Sequence, residues 1–215
     1  MKMIAMVCVC ERDAPMLPIF LNQWKRLHPL IPVVIGNCKK NAIATNLQQY
    51  SIDWQHRPGL SIMRAMLSAC IDHSAEVAFK LDVDCFHRRS FLPRLFDDPR
   101  IDAAGIQWLD NPHHFLGLAY GIRRRLLTQM EVSTTCSRWD GGEDNAMSWF
   151  ARKFSRNGIH LFDPHTARRA QTDDGTASIV HCGSFYPVNE GRAQALAAMQ
   201  RLTSFPVCPS VPLRS

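Results

Sequence analysis

The segment Val77-Ala78-Phe79-Lys80-Leu81-Asp82-Val83-Asp84 constrains the fold more than any other part of the chain. It is a mostly apolar run that ends in two carboxylates spaced i and i+2, and the polar stretch Cys85 to Ser90 follows it. A bounded apolar run of this length reads as a buried strand. Residues two apart on a strand point the same way, so Asp82 and Asp84 would face one site at the strand's open end, with Val83 turned into the core. Convergent carboxylates suit an oxygen-ligand site for a divalent cation. Aspartate at a strand end is also a common turn former, and position argues for the site, because ligands of open sheets bind outside the carboxyl ends of the strands. A second acidic pair, Glu143-Asp144, follows Gly141-Gly142 further along.

The rest of the chain alternates between strand and helix signals. Met1 to Cys10 reads as a first strand rather than a secretory signal, because Glu11-Arg12-Asp13 interrupts the apolar run and no small-residue cleavage site follows. Leu17, Phe20, Leu21, Trp24 and Leu27 predict a helix over Pro15 to His28, with Asp13 as its cap. Strands are expected at Ile31–Ile35 and Ile52–Trp54, then a helix over Ser61–His73 that feeds the acidic strand. Beyond it the pattern predicts a short helix ending in Pro93–Asp98, strands at Ile101–Trp108 and Gly117–Gly121, and a helix from Arg123 to Met130. A helix carrying Ala146, Met147, Phe150, Ala151 and Phe154 stops at Asn157-Gly158. Short strands at Ile159–Phe162 and Ser178–Val180 and a helix over Gly191–Leu202 complete the reading. The expected fold is α/β, one domain over 1–203 with a mostly parallel central sheet flanked by helices, followed by a proline-bearing tail over 204–215.

A chain of 215 residues, 46% hydrophobic, buries a core without metal or disulfide staples. Its eight cysteines include no C-x-x-C pair and several lie in apolar stretches, the pattern of reduced thiols in a cytoplasmic protein. No segment approaches the length of a membrane span, so no membrane partner is expected. A formal charge of +6 favours a polyanionic partner, a preference that a nucleotide alone satisfies.

Taken in order, these residues resemble the GT-A fold glycosyltransferases, in style the large family 2 group. The resemblance rests on a first strand ending in the polar turn Cys10-Glu11-Arg12, a strand ending Lys80-Leu81-Asp82-Val83-Asp84, the helix opening Gly142-Glu143-Asp144-Asn145-Ala146-Met147, and His181 in Val180-His181-Cys182-Gly183. It spans roughly Ile4 to Tyr186. It implies a metal-dependent hexosyltransferase moving a sugar from a nucleotide diphosphate donor, with a uridine diphosphate sugar favoured, to a hydroxyl acceptor.

By this resemblance Asp84 would ligate Mn2+ or Mg2+ directly, Asp82 would touch the ribose or a metal-bound water, and His181 would be the third ligand. Imidazole favours manganese over magnesium, and His165, in Asp163-Pro164-His165, stands as the substitute for His181. Asp144 would be the base that takes the acceptor proton, with Glu143 contacting the acceptor, and a base-driven attack predicts inversion at the sugar carbon. The same two acids would also complement a helix N-terminus. Glu11, Arg12 and Asp53 match the nucleoside-binding positions by place alone, and Arg64 stands where many members carry asparagine.

On the acceptor side lie Trp108, Asp110, His113, His114 and Tyr120, which suit a sugar or base face or a loop surface. The basic residues Arg88, Arg89, Arg123, Arg124, Arg125, Arg152, Lys153, Arg156, Arg168 and Arg169, most of them near the two acidic motifs in sequence, raise a polyanionic acceptor, such as a hydroxylated base in DNA, against the reading of solvated surface arginines. Three alternatives are weaker. A sugar nucleotidyltransferase needs a glycine-rich phosphate loop, and Cys10 to Pro18 contains no glycine; a non-catalytic basic nucleic-acid-binding domain leaves two ordered acidic motifs without a role; and Cys85, His87, Cys136 and Cys182 lack zinc-ligand spacing.

Overall fold

The structure is a computed structural model, and it describes residues 1–38, 42–90, 92–108, 111–156, 159–163, 166–182 and 190–204. The predicted stop at Asn157-Gly158, the substitute ligand His165, Asp110, the side chain of Trp108 and the tail from residue 205 fall outside that set.

Strands β1 (Met3–Val9), β2 (Val33–Asn37), β3 (Gln49–Ser51), β4 (Val77–Asp82), β6 (Ala103–Trp108), β7 (Asn111–Arg123) and β8 (Ile159–Phe162) form one sheet in the order β3-β2-β1-β4-β7-β6-β8. β5 (Cys85–His87), β9 (Ala167–Arg169) and β10 (Ile179–His181) form a second, smaller sheet in the order β5-β10-β9. The helices are α1 (Leu17–Leu27), α2 (Pro58–Asp72), α3 (Leu92–Leu95), α4 (Arg124–Glu131), α5 (Glu143–Phe154) and α6 (Glu190–Thr203). The central sheet is mixed and largely parallel: β3, β2, β1 and β4 run together, and β7 enters antiparallel to β4 and β6.

The period of two in β1 builds both sides of the core. Ala5, Val7 and Val9 pack with Phe20, Trp24 and Phe79, under α1; Ile4, Met6 and Cys8 pack with Ile62, Met66 and Phe150, under α2 and α5. Two aromatic rings come unusually close to β7. A Cβ on Gly121 would sit 2.7 Å from both Phe79 and Phe96, so this position takes no side chain without moving a ring.

Several boundaries depart from the sequence reading. The third strand is Gln49–Ser51 instead of Ile52–Trp54, because Ile52 is spent packing over Gly36 while Asp53 opens a turn, accepting from the backbone N–H groups of Gln55 and His56. The predicted Gly117–Gly121 strand is the centre of the longer β7. β5 and β9 were hidden in polar stretches. The chain over Glu11–Met16 is a 3-10 turn before α1, and Asp13 makes no helix cap there; its carboxylate is buried against Arg192 of α6.

One face of the core holds two histidines that stay neutral. His87 lies fully buried against the edges of Phe20 and Trp24, with centroids 5.7 and 5.6 Å away, and burial pushes its pKa down to about 3. Burial pushes His28, tilted against Trp24, down to about 4. An unfolded histidine takes its proton near pH 6.5. Between that pH and the folded values the unfolded state binds the extra protons, so stability falls as pH is lowered, by about 2 kcal/mol at pH 5 for His87 alone. Urea midpoints measured between pH 7.5 and 5 should show this loss, and His87→Met should flatten the slope by about one proton. An unchanged slope in that variant would remove His87 from the account.

Candidate active site

The carboxyl ends of β1 and β4 open on a cavity of about 140 Å³ whose lining includes Arg12, Asp13, Trp54, Asp82, Asp84 and Arg192. Cys8, Cys10 and Cys38 lie at the same ends of β1 and β2 and also face it. β4 ends at Asp82 and turns, and Val83 is buried, so both acids of the pair reach the cavity. The small sheet supplies the next partner. His181 pairs in register with Cys85, and the Cys182 N–H donates to the Asp84 carbonyl at 2.9 Å, which brings His181 Nε2 to 3.5 Å from Asp84 Oδ2. Arg192 Nη1 lies 2.7 Å from Asp13 Oδ1 and 3.4 Å from Asp84 Oδ2.

The electrostatics separate the two acids of the motif. Burial alone would raise the Asp84 carboxyl, but His181 and Arg192 outweigh it and hold its pKa below the ordinary carboxylate range. Burial raises the pKa of Asp82, against the opposing charge of Lys80, and the neighbouring Asp84 charge adds to the rise.

Lys80 is the residue that sequence reading passed over. Its side chain is 1% exposed, inside the sheet, where its ammonium donates to Asp82 Oδ1 at 2.7 Å, to the Gly117 carbonyl, and to Glu143 Oε2 at 3.4 Å. Tyr120, its cross-strand partner on β7, donates its hydroxyl to Glu143 Oε1 at 2.6 Å. Burial disfavours the ammonium, but Asp82 and Glu143 overcome this and hold Lys80 protonated well above the usual lysine range. Burial also raises the Glu143 carboxyl, with Lys80 opposing. A lysine inside an apolar strand, two residues before an acid, was the available signal, since a buried ammonium requires carboxylate partners.

This network divides the second acidic pair. Glu143 is tied down between Lys80 and Tyr120, while Asp144, the next residue, is partly exposed and accepts from the Asn145 N–H at 2.9 Å. Tyr120 is fully buried in this network and lines no acceptor surface. A Cβ on Gly117 would stand 3.1 Å from Glu143 Oε2, so the bare backbone there leaves room for the pair. Of the nucleoside-binding candidates, Arg12 lines the acid-rimmed cavity, and Glu11 is exposed in the first turn beside it. Asp53 lines a separate hollow of about 580 Å³ along α2, with Arg57 and Arg64, and Arg64 pairs with Glu131 at 3.1 Å.

Among the described residues no group of three or more His, Cys, Asp or Glu side chains converges as a complete cation cage. Two of the candidate ligands do meet, Asp84 and His181, and a carboxylate with an imidazole is a fitting partial donor set for Mn2+ or Mg2+, which commonly take their remaining ligands from water and substrate phosphates. Asp82 has one oxygen committed to Lys80.

Four of the ten basic residues are engaged by the fold. Arg88 forms a two-pronged pair with Asp173 at 2.7 and 2.6 Å, Arg125 binds Asp102, Arg168 binds Asp174, and buried Arg123 donates to the carbonyls of Phe96, Asp98 and Ile101. Each of these four is thereby held by a partner within the protein, Arg125 while more than half exposed.

Comparison with known proteins places this architecture. A glycosyltransferase involved in glycosylation of the major capsid of PBCV-1 matches over 94% of this chain and 100% of its own, with a TM-score of 0.63 at 13% identity. The chain has a GT-A glycosyltransferase fold. Galactosyltransferase LgtC in complex with donor and acceptor sugar analogs covers 94% of this chain and 97% of its own, with a TM-score of 0.55 at 12% identity, and an active-site mutant of LgtC gives 0.54 at 10%. No protein-family model and no curated protein sequence matches the chain, so the likeness is one of fold, and membership of family 2 is not shown. Among the described residues no helix is long and apolar enough to cross a membrane.

Proposed function

We propose that the protein is a glycosyltransferase that moves a sugar from a nucleotide diphosphate donor to a hydroxyl acceptor. The observation that carries this reading is the acid-rimmed cavity at the ends of β1 and β4, lined by Asp82, Asp84, Arg12 and Arg192 on a GT-A scaffold, with His181 reaching Asp84 beside it. Asp84 and His181 would hold a Mn2+ or Mg2+ ion, whose charge would neutralise the diphosphate as the sugar departs. Arg192 and Arg12 are the side-chain cations at the same cavity, suited to phosphate oxygens. Lys80 fixes Asp82 on the donor side and Glu143 on the α5 side, so one buried ammonium sets the spacing of both.

Asp144, next to the anchored Glu143, is the residue suited to take the acceptor proton, and attack driven by such a base inverts the sugar carbon. Glu143 then acts by positioning, since both its oxygens are committed. Purified protein with Mn2+ and a panel of nucleotide sugars should release nucleoside diphosphate from one donor, uridine diphosphate sugars being the first to try. Release from none would remove the reading. Asp144→Asn should bind the nucleotide sugar nearly as well as the parent and lose transfer by about a hundredfold or more. A matching loss of donor affinity, or retention of the anomeric configuration in the product, would remove Asp144 as the base.

A further inference from the structure

A second cavity, of about 340 Å³, opens beside the first turn of α5, and its lining includes His114, Ser137, Arg138, Asn145 and Trp149. It adjoins the proposed base, because Asn145 follows Asp144 directly and His114 lies within the electrostatic reach of Asp144. Its chemistry is one-sided. Among the described residues no carboxylate lines it. The guanidinium of Arg138 stands 5.5 Å from the centre of the Trp149 ring and the ammonium of Lys153 stands 5.0 Å from it. Neither cation has a carboxylate within ion-pair distance among the described residues, and Asp140, two residues from Arg138, is engaged by Arg57 at 2.6 Å. Nδ1 of His114 is shielded from solvent with no hydrogen-bond partner.

Neutral sugars are usually gripped by a free aromatic face and by carboxylates that accept from their hydroxyls. Here two cations lie over the indole and no carboxylate acceptor lines the cavity among the described residues, while Arg138 supplies a charged donor suited to an anion. We propose that this cavity is a subsite for an anionic group, carboxylate or phosphate, on the acceptor sugar, with Arg138 its principal cation. The proposal rests on the glycosyltransferase reading for the word acceptor. The volume suits one charged sugar unit, and the walls come from β7, the turn over Ser137–Asp140 and α5.

The test is binding, measured calorimetrically with glucose, glucuronate and glucose 6-phosphate on the whole protein, alongside uridine diphosphate as a probe of the first cavity. At least one charged sugar should bind ten- to hundredfold more tightly than glucose, the range of a charge-assisted hydrogen bond. Which one does so distinguishes a carboxylate from a phosphate site. Arg138→Gln should erase that advantage and leave uridine diphosphate binding unchanged, and because Arg138 is exposed the variant should fold as the parent does. Arg192→Gln should do the reverse, which separates this site from the acid-rimmed cavity. Lys153→Gln should give a smaller loss in the same direction as Arg138→Gln. Equal affinity for charged and neutral sugars, or charged-sugar binding that survives Arg138→Gln, would overturn the proposal. Arg138-dependent binding in a protein that turns over no nucleotide sugar would instead leave the subsite standing and remove the glycosyltransferase reading.

Discussion

Lys80→Met is expected to cost about 3–5 kcal/mol of stability, the scale of stranding a buried charge. The ammonium is the sole cation among the described residues touching both Asp82 and Glu143, at 2.7 and 3.4 Å, and it also holds the Gly117 carbonyl. Methionine keeps the volume and leaves two carboxylates without their partner. Those carboxyls would then protonate more readily in the folded state than in the unfolded one. A carboxyl whose folded pKa is raised contributes least at high pH, so the deficit should be largest near pH 8 and shrink as the pH is lowered toward 5. Urea midpoints of parent and variant across that range are the check. Glu143→Gln in the Lys80→Met background should recover part of the loss, and the double-mutant cycle measures the coupling. A variant that melts with the parent at all pH values would dissolve the network as an energetic unit.

Asp84→Asn is expected to produce the largest functional loss, about a thousandfold in turnover, with the fold intact. The carboxylate sits at the cavity rim and faces His181 at 3.5 Å and Arg192 at 3.4 Å, so the amide keeps the shape and removes the charge that both partners lower in pKa. Asp84 and His181 would supply only part of the donor set of the proposed cation, so the cation and the nucleoside diphosphate should bind together. Manganese affinity, read by paramagnetic resonance, should rise when uridine diphosphate is added to the parent and not when it is added to the variant. Asp82→Asn should be nearly as severe in turnover and should also lower stability, since it breaks the pair with Lys80. Full turnover of Asp84→Asn in the presence of a chelator would end the metal assignment.

What the sequence determined by itself was local and periodic. The apolar run before Asp82, the two-residue spacing to Asp84, and the alternation of strand and helix signals are short-range properties, and they gave an α/β sheet with acids at the end of an inner strand. The helix opening at Gly142-Glu143-Asp144, taken from the resemblance, is where α5 begins. The division of labour inside each acidic pair was decided only by tertiary packing. Lys80 looked like one polar residue in a hydrophobic run until β7 entered antiparallel and set Tyr120 and Gly117 beside it. Asp13 looked like a helix cap until α6 brought Arg192 back across the chain to it. His181 reached Asp84 because β10 pairs with β5, a strand hidden in a polar stretch. Local propensity acts over a few residues, whereas each of these contacts closes a long loop and exists only because burying the charges demanded partners.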